Sequence, residues 1–131
     1  MASGRFLNRR VLLVEDNKVN QRVAAALLSE LGCRVEIAAN GREALELADR
    51  LPFDLILMDC QMAVMDGFEA TVEIRRREGS DRHTPIVALT AGVLDEDRQR
   101  CARAGMDDFV SKPVILAALD GALGRWLGEL V

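Results

Sequence analysis

The stretch FDLILMDCQMAVMDG, residues 53–67, decides the fold. It opens with a short apolar run that ends at Asp59, and the turn-like pair Asp66-Gly67 follows seven residues later. A continuous apolar run bounded by turn residues is typical of a strand that is buried on both faces of a sheet. Asp59 then has two interpretations. Either it caps the strand and begins a loop, or the strand holds its carboxylate rigidly in a site.

Short apolar runs of the same kind recur along the chain, with longer amphipathic segments between them. They predict five strands, at residues 11–14, 33–38, 53–58, 85–89 and 109–110. A helix is expected after each strand. The first begins at an Asn17 cap and has apolar positions Val19, Val23, Leu27, Leu28 and Leu31, the second begins at Asn40-Gly41, and the third and fourth span residues 67–77 and 94–104. The last helix has a core face of Leu116, Leu119, Leu123, Trp126, Leu127 and Leu130. This alternation predicts one α/β domain, residues 10–131, with a doubly wound parallel sheet.

The composition of the 131 residues, 50% hydrophobic and 29% charged, is that of an ordinary globular protein. A formal net charge of -4 gives no electrostatic reason to expect direct binding to nucleic acid or to an anionic membrane. The dense basic run at residues 75–77 is interpreted as the solvated face of a helix. Residues 1–9 are interpreted as a flexible lead-in or as residues added for expression.

Three scattered cysteines and a single histidine argue against a disulfide framework, a structural zinc site and secretion. His83 is interpreted as a surface residue in a loop, and Cys60 as a small buried or half-buried neighbour of Asp59. No apolar stretch approaches the ~18–20 residues that a membrane span needs, and the first ten residues lack a signal-peptide core. We therefore expect a cytoplasmic domain without membrane contact.

Polar residues follow four of the predicted strands: Glu15-Asp16 the first, Asp59 the third, Thr90 the fourth and Lys112 the fifth. In open parallel sheets, ligands bind beyond the carboxyl ends of the strands, so these side chains are expected in one site. Three close carboxylates repel one another unless a cation neutralises them, and Mg²⁺ prefers such oxygen ligands. A lysine and a hydroxyl opposite suit a phosphoryl group, which a carboxylate can itself accept as an aspartyl phosphate.

Four motifs carry a family resemblance: VLLVEDNKVNQ at 11–21, LILMDCQMAVMDG at 55–67, PIVALTA at 85–91 and FVSKP at 109–113. In this order and spacing they resemble the receiver domain of bacterial two-component response regulators, over roughly residues 10–130. The wording of the first two motifs is most similar to receivers attached to hybrid sensor histidine kinases. Each motif alone is a weak signal, but their combination is specific.

The resemblance implies a flavodoxin-like sheet with strand order 2-1-3-4-5 and a role in phosphorelay signal transduction. Asp59 would accept a phosphoryl group from a histidine kinase or a histidine phosphotransfer protein. Glu15, Asp16 and Asp59 would hold Mg²⁺ together with the backbone carbonyl of Gln61. Such a domain is a signalling module rather than an enzyme, because it catalyses only its own phosphorylation and dephosphorylation.

The resemblance also assigns roles around the phosphoryl group. Thr90 and Lys112 would contact its oxygens, and Phe109 would turn inward on activation, coupled to Thr90; a plain core role also explains Phe109. The Lys112-Pro113 bond matches one that is usually cis in the family. One position departs from the pattern, since Ala63 stands where the family usually has proline, and this loosens the loop after the phosphoacceptor.

Other classes fit the sequence less well. A pseudo-receiver should lack part of the acid, hydroxyl and lysine set, and this chain keeps all of it. Phosphatases of the haloacid-dehalogenase type carry a second aspartate two residues after the nucleophile, where this chain has Gln61. A flavodoxin needs a Ser/Thr/Gly-rich phosphate loop after the first strand, which VEDNKVNQ does not supply. The sequence leaves open the cognate kinase, the output, a receiver homodimer, and whether the domain stands alone or belongs to a hybrid kinase.

Overall fold

The computed structural model describes residues 5–62, 64–91 and 95–128. Residues 1–4 and three positions used in the sequence predictions, Ala63, Leu94 and Leu130, lie outside the described residues. The elements are β1 Arg10–Val14, α1 Lys18–Glu30, β2 Arg34–Ala38, α2 Gly41–Arg50, β3 Leu55–Asp59, α3 Gly67–Glu78, β4 Ile86–Thr90, α4 Asp95–Ala104, β5 Asp108–Ser111 and α5 Leu116–Leu127. Across the described residues, no helix has the length and apolar content that crossing a bilayer requires.

All neighbouring strands of the five-stranded sheet are parallel, in the order β2-β1-β3-β4-β5. This confirms the predicted fold class and the strand order that the resemblance implies. The strand bounds differ from the predicted ones by one or two residues. In particular, Asp59 and Thr90 are the last residues of β3 and β4, where they pair with Leu89 and Ser111, rather than the first residues of loops.

The side chains of β3 alternate between two apolar clusters, one on each face of the sheet. Leu55 and Leu57 pack with residues of α1 and α5, whereas Ile56 and Met58 pack with residues of α2, α3 and α4. All four are at most 1% exposed. Burial on both faces explains why this strand is a continuous apolar run, and each large side chain contributes roughly 1.5–3 kcal/mol through it.

Side-chain caps start the helices that follow the first three strands. Asn17, Asn40 and Asp66 each accept a hydrogen bond from the backbone N–H three residues further on, at 3.0, 3.0 and 2.8 Å. Such caps satisfy one of the free N–H groups of the first turn. The predicted cap at Asn17 is confirmed, and all three caps lie at the carboxyl edge of the sheet, where β1, β2 and β3 end.

The inward face of α1 differs from the predicted one. Ala24, Leu28 and Leu31 are buried, whereas Val19 is 66% and Val23 is 48% exposed. The prediction was wrong for these two valines because the buried row of the helix begins one residue along from theirs. Only Leu27, the next residue of their own row, packs against the core.

The prediction that Trp126 belongs to the core face of α5 is also wrong. Leu119 and Leu123 are buried as expected, but Leu116 and Trp126 are each 37% exposed, so the prediction is wrong for Leu116 as well. The indole Nε1–H of Trp126 donates a 2.9 Å hydrogen bond to Asp108 Oδ2, which also accepts from Arg125 Nε. A tryptophan N–H requires an acceptor, and this one holds the ring at the rim of the domain.

Arg75 is the exception within the basic run. The side chains of Arg76 and Arg77 are 70% and 38% exposed, as expected of a solvated face, but that of Arg75 is only 16% exposed. It pairs with Glu78 at 2.6 Å and with Asp107 at 2.7 Å. The prediction was wrong for Arg75 because α3 turns this residue toward the loops that precede β4 and β5.

Residues 5–9, part of the predicted lead-in, pack against the domain. Phe6 is fully buried in the cluster under α1 and α5, and its N–H donates to the Leu31 carbonyl at 3.0 Å. Arg9 Nη2 donates to the Leu127 carbonyl at 3.0 Å. This short segment has no strand or helix periodicity that could have identified Phe6. A flexible lead-in stays a prediction for residues 1–4.

Candidate functional site

Strand β3 carries Asp59 to the carboxyl edge of the sheet, where its side chain is buried. The start of α3 lies directly against this strand end. The Gly67 N–H donates to the Cys60 carbonyl at 3.2 Å, and a Cβ at Gly67 would lie 2.2 Å from the Asp59 carbonyl oxygen. Since only glycine allows that approach, the Asp66-Gly67 turn seen in the sequence fixes the backbone beside Asp59.

Glu15 and Asp16 reach the same place from β1. Because Val14 of β1 pairs with Met58 of β3, the residues that follow these two positions are neighbours. Glu15, Asp16 and Asp59 form what we call the acid cluster, in which one carboxylate oxygen from each residue lies within 4.8 Å of the others. Glu15 is 1% exposed and Asp59 2%, while Asp16 faces solvent. The structure therefore brings together the three carboxylates that the sequence predicted as metal ligands.

Lys112 follows β5 and reaches across to the acid cluster. Its Nζ lies 2.9 Å from Asp59 Oδ1 and 3.5 Å from Glu15 Oε1. Its backbone N–H donates to the Thr90 carbonyl at 2.9 Å, and its peptide bond to Pro113 is cis, as the resemblance implied. Asp59, Thr90 and Lys112 line one cavity of about 170 Å³. The lysine and the threonine expected opposite the acids are thus at the same site.

Gln61 contributes to this site through its backbone. Its N–H donates to Asp59 Oδ1 at 3.2 Å, the same oxygen that Lys112 contacts. Because Lys112 and the Gln61 N–H both contact Oδ1, these two groups leave the other carboxylate oxygen, Oδ2, available to a ligand. The family resemblance assigned Gln61 a role through its carbonyl. The N–H contact depends on the course of the backbone after β3, so residue type alone gave no signal for it.

Negative charge exceeds positive charge in the acid cluster. Among the described residues, Lys112 is the only cation that forms an ion pair with it. Burial, followed by hydrogen bonding to Asp59, raises the pKa of Glu15 to about 7. Burial acts to lower the pKa of Lys112, but the hydrogen bond to Asp59 and its charge raise it above the ordinary value. A hard divalent cation would relieve this imbalance, and the oxygen donors present are those that Mg²⁺ prefers.

Phe109 lies on β5 and is half-buried, opposite Ala88 of β4. The guanidinium of Arg98, on α4, lies over its ring at 4.4 Å from the centroid. Such a cation–π contact stabilises the present position of the ring. This contact could not be predicted from the sequence pattern, because the two residues belong to different elements. A switch role and a plain core role are both compatible with this position of Phe109.

His83 lies at the opposite edge of the sheet from the acid cluster. Its Nε2 is 2.7 Å from Asp107 Oδ1, and its side chain is 57% exposed. This supports the interpretation of His83 as a surface residue and separates it from the site.

Comparison with known proteins adds independent evidence. The sequence model of the response regulator receiver domain matches residues 11–123. Hybrid signal transduction histidine kinase A of Dictyostelium discoideum is 44% identical over 123 residues, which cover 92% of this chain and 6% of that protein. Among eight such curated relatives, the chain spans between 4% and 15% of the relative's length.

Solved structures share the fold as well. The receiver domain of the sensor histidine kinase PA1611 from Pseudomonas aeruginosa, with a magnesium ion coordinated in its active-site cleft, is 49% identical with a TM-score of 0.84, over 92% of this chain and 98% of that one. A chain in the co-crystal structure of the Saccharomyces cerevisiae phosphotransfer protein Ypd1 with the receiver domain of Ssk1 is 35% identical, with a TM-score of 0.84, over 92% of this chain and 89% of that one. The chain therefore belongs to the response regulator receiver domain family.

Proposed function

We propose that this receiver domain takes a phosphoryl group from a phosphohistidine onto Asp59 in a Mg²⁺-dependent reaction. The observation that carries the proposal is the environment of the Asp59 carboxylate. It is buried, its Oδ1 lies 2.9 Å from Lys112 Nζ, and two further acids lie beside it. A residue that merely caps a strand needs none of these partners.

The residues present fit Mg²⁺. Glu15, Asp16 and Asp59 each place one carboxylate oxygen within 4.8 Å of the others, and one lysine offsets their charge among the described residues. We assign the backbone carbonyl of Gln61 as a further ligand. When bound, Mg²⁺ neutralises these carboxylates and the phosphoryl oxygens that approach them.

In the proposed reaction an Asp59 oxygen attacks the phosphorus of a phosphohistidine. The P–O bond to Asp59 forms as the P–N bond to the histidine breaks, and the imidazole nitrogen keeps the bonding electron pair. We assign Oδ2 as the attacking oxygen, because Oδ1 is contacted by Lys112 and by the Gln61 N–H. Lys112 would then hold the phosphoryl oxygens by its charge, and Thr90 by its hydroxyl.

An apolar surface beside the site supports a protein as the phosphodonor. Four apolar side chains are exposed on the two helices that follow β1 and β5: Val19 and Val23 of α1, and Ile115 and Leu116 at the start of α5. A cavity of about 350 Å³, lined in part by Val23, Glu15 and Lys112, connects this surface with the acid cluster. Exposed apolar patches of this kind are commonly interaction sites. We infer a partner of the class of histidine kinases or of histidine phosphotransfer proteins.

The proposed outcome is a two-state switch. Phosphorylation adds negative charge beside Thr90, so we expect Thr90 to move toward the phosphoryl group and Phe109 to follow. The domain would catalyse only its own phosphorylation and dephosphorylation. Any kinase activity would belong to a parent hybrid protein.

A small phosphodonor tests the proposal. After incubation with phosphoramidate and Mg²⁺, the intact mass should rise by one phosphoryl group, and it should not rise with a chelator present or in Asp59→Asn. Asp54→Asn is the matched control at the other end of β3, where Asp54 accepts from the Arg10 N–H at 2.8 Å, and it should behave as the wild type. An equal gain in Asp59→Asn, or no gain in the wild type, would overturn the assignment.

A further inference from the structure

Two cysteine thiols meet beside Asp59. Cys60 follows Asp59 directly, Cys101 lies on α4, and their Sγ atoms are 3.9 Å apart. The two cysteines are 4% and 6% exposed and belong to the same apolar cluster. At this separation the sulfur atoms are in van der Waals contact, so no other atom lies between them. Neither thiol takes part in the phosphoryl transfer proposed above.

Each of the two cysteines lines a cavity large enough for a small molecule. Cys60 lines the 170 Å³ cavity that also contains Asp59 and Lys112. Cys101 lines a second cavity of about 230 Å³, together with Phe109. Both spaces exceed the roughly 30 Å³ that a water molecule occupies, so a small oxidant such as hydrogen peroxide fits in either one.

We propose that Cys60 and Cys101 form a reversible disulfide when the domain is exposed for long periods to a hydroperoxide. With hydrogen peroxide, the sulfur of one thiol attacks an oxygen, the O–O bond breaks, and a sulfenic acid and one water are formed. The second thiol attacks that sulfur, the S–S bond forms and a second water leaves. The two thiols thus lose two electrons and two protons, and one peroxide is reduced. An added dithiol reverses the change.

The surroundings of the pair set its rate and its structural effect. Both thiols are almost fully buried, so a peroxide reaches the sulfur atoms only rarely and the reaction is slow. The S–S bond requires the sulfurs to approach to about 2.05 Å. The Cys60 backbone is held by hydrogen bonds of 3.2 Å to Leu89 and Gly67, so we expect α4 to move toward β3.

The first test is the mass of the wild-type protein after hours in excess hydrogen peroxide. We expect the peptides that contain Cys60 and Cys101 to be joined with a loss of two hydrogen atoms, and after denaturation and alkylation we expect a label on Cys33 alone. Cys33 is the internal control, because it lies in the cluster on the opposite face of the sheet. Cys33→Ser should still form the link, whereas Cys60→Ser and Cys101→Ser should not. Three labelled cysteines, a link to Cys33, or oxygen added without a link would overturn the proposal.

The second test asks whether the link acts on Asp59, and it rests on the proposed function. A displacement of about 1 Å at a reacting group can cost about a hundredfold in rate, so we expect the oxidised domain to take the phosphoryl group roughly tenfold more slowly. A dithiol should restore the rate. An equal rate in the linked and the reduced protein would overturn this regulatory step. Asp59→Asn should form the disulfide as readily as the wild type, so a failure of the phosphoryl chemistry leaves the mass test decisive.

Discussion

Strands β3 to β5 have groups of acids near both of their ends, each with at least one buried member, and the two groups differ in their partners. At the carboxyl end, the acid cluster meets one cation, Lys112, among the described residues. At the amino end, Glu78 and Asp107 share Arg75 and together form what we call the amino-end network. One end therefore carries unbalanced charge, while the other has a partner for each acid.

The amino-end network is closed by directed hydrogen bonds. Arg75 donates to Glu78 at 2.6 Å, to Asp107 at 2.7 Å and to the Gly105 carbonyl at 2.9 Å. The other oxygen of Glu78 accepts from the Thr84 N–H at 2.8 Å. A planar guanidinium suits such a set of acceptors, because its donors point in fixed directions. The network joins the end of α3 to the loops before β4 and β5.

Glu15 and Glu78 illustrate the effect of these partners on a buried carboxyl group. Glu15 is 1% exposed and Glu78 is 6% exposed, so both are buried. Burial raises the pKa of Glu15 to about 7. For Glu78, burial acts in the same direction, but hydrogen bonds from Thr84 and Arg75 outweigh it and lower the pKa. Hydrogen-bond donors and cations around the carboxyl group, rather than its burial, distinguish a structural acid from one that is available to a cation.

Removing the shared cation should have the largest effect. Arg75→Met should lower the free energy of unfolding by about 3–5 kcal/mol, because it leaves the buried Glu78 and the partly buried Asp107 without their cation. Urea denaturation followed by circular dichroism measures this change. Arg76→Met, on the same helix but with its side chain 70% exposed, should cost less than about 1 kcal/mol. Equal losses in the two variants would show that the network does not stabilise the fold.

Adding Mg²⁺ should stabilise the domain through the acid cluster at the carboxyl end of the strands. At a concentration one hundred times its Kd, Mg²⁺ should raise the free energy of unfolding by about 2.7 kcal/mol, since it binds the folded acid cluster. The same urea titration, with and without the ion, gives the increment. Asp16→Ala should lose it, whereas Asp54→Asn, at the amino end of β3, should keep it. A full increment in Asp16→Ala would place the ion elsewhere.

Acid should weaken the amino-end network through Glu78. Since its pKa is lowered in the folded protein from the ordinary 4.5, its contribution is complete above about pH 4.5 and is lost as the pH falls through the folded-state value. The slope from one such group is at most about 1.4 kcal/mol per pH unit. In urea titrations from pH 7 to 3, Glu78→Gln should flatten the fall in stability. Glu46→Gln, which is 59% exposed, should retain the wild-type slope; parallel curves for all three proteins would contradict this assignment.

Removing one charge from the acid cluster should have a smaller effect of opposite sign. In buffer without Mg²⁺, Asp59→Asn should raise the free energy of unfolding by about 1 kcal/mol, because it relieves repulsion among three acids. Asp108→Asn should lower it, because Asp108 accepts hydrogen bonds from Arg125 and Trp126. Thermal unfolding compares the two. A destabilised Asp59→Asn would mean that its ion pair with Lys112 outweighs the repulsion.

The two ends also differ in how far the sequence predicts them. The acid cluster was predictable because Asp59 and its partners stand where apolar runs end, and parallel strands bring those ends together. The amino-end network was not predictable. Arg75, Arg76 and Arg77 are the same residue type, and only the placement of α3 decides which of them turns inward. The exposed row of Val19 and Val23 was missed for the same reason. Helical spacing identifies rows of apolar residues along a helix, but the packing of the helix on the sheet decides which row is buried.

Peptide mapping can identify the acidic residue that accepts the phosphoryl group. The protein is treated with phosphoramidate and Mg²⁺, and the acyl phosphate is reduced with borohydride, which converts a phosphorylated aspartate into homoserine. Peptide mass spectrometry then reads each acidic position. We predict the change at Asp59, with Glu15, Asp16 and Asp107 unaltered. A change at any other acid, or none at Asp59 while the intact mass rises, would show that Asp59 is not the phosphoacceptor.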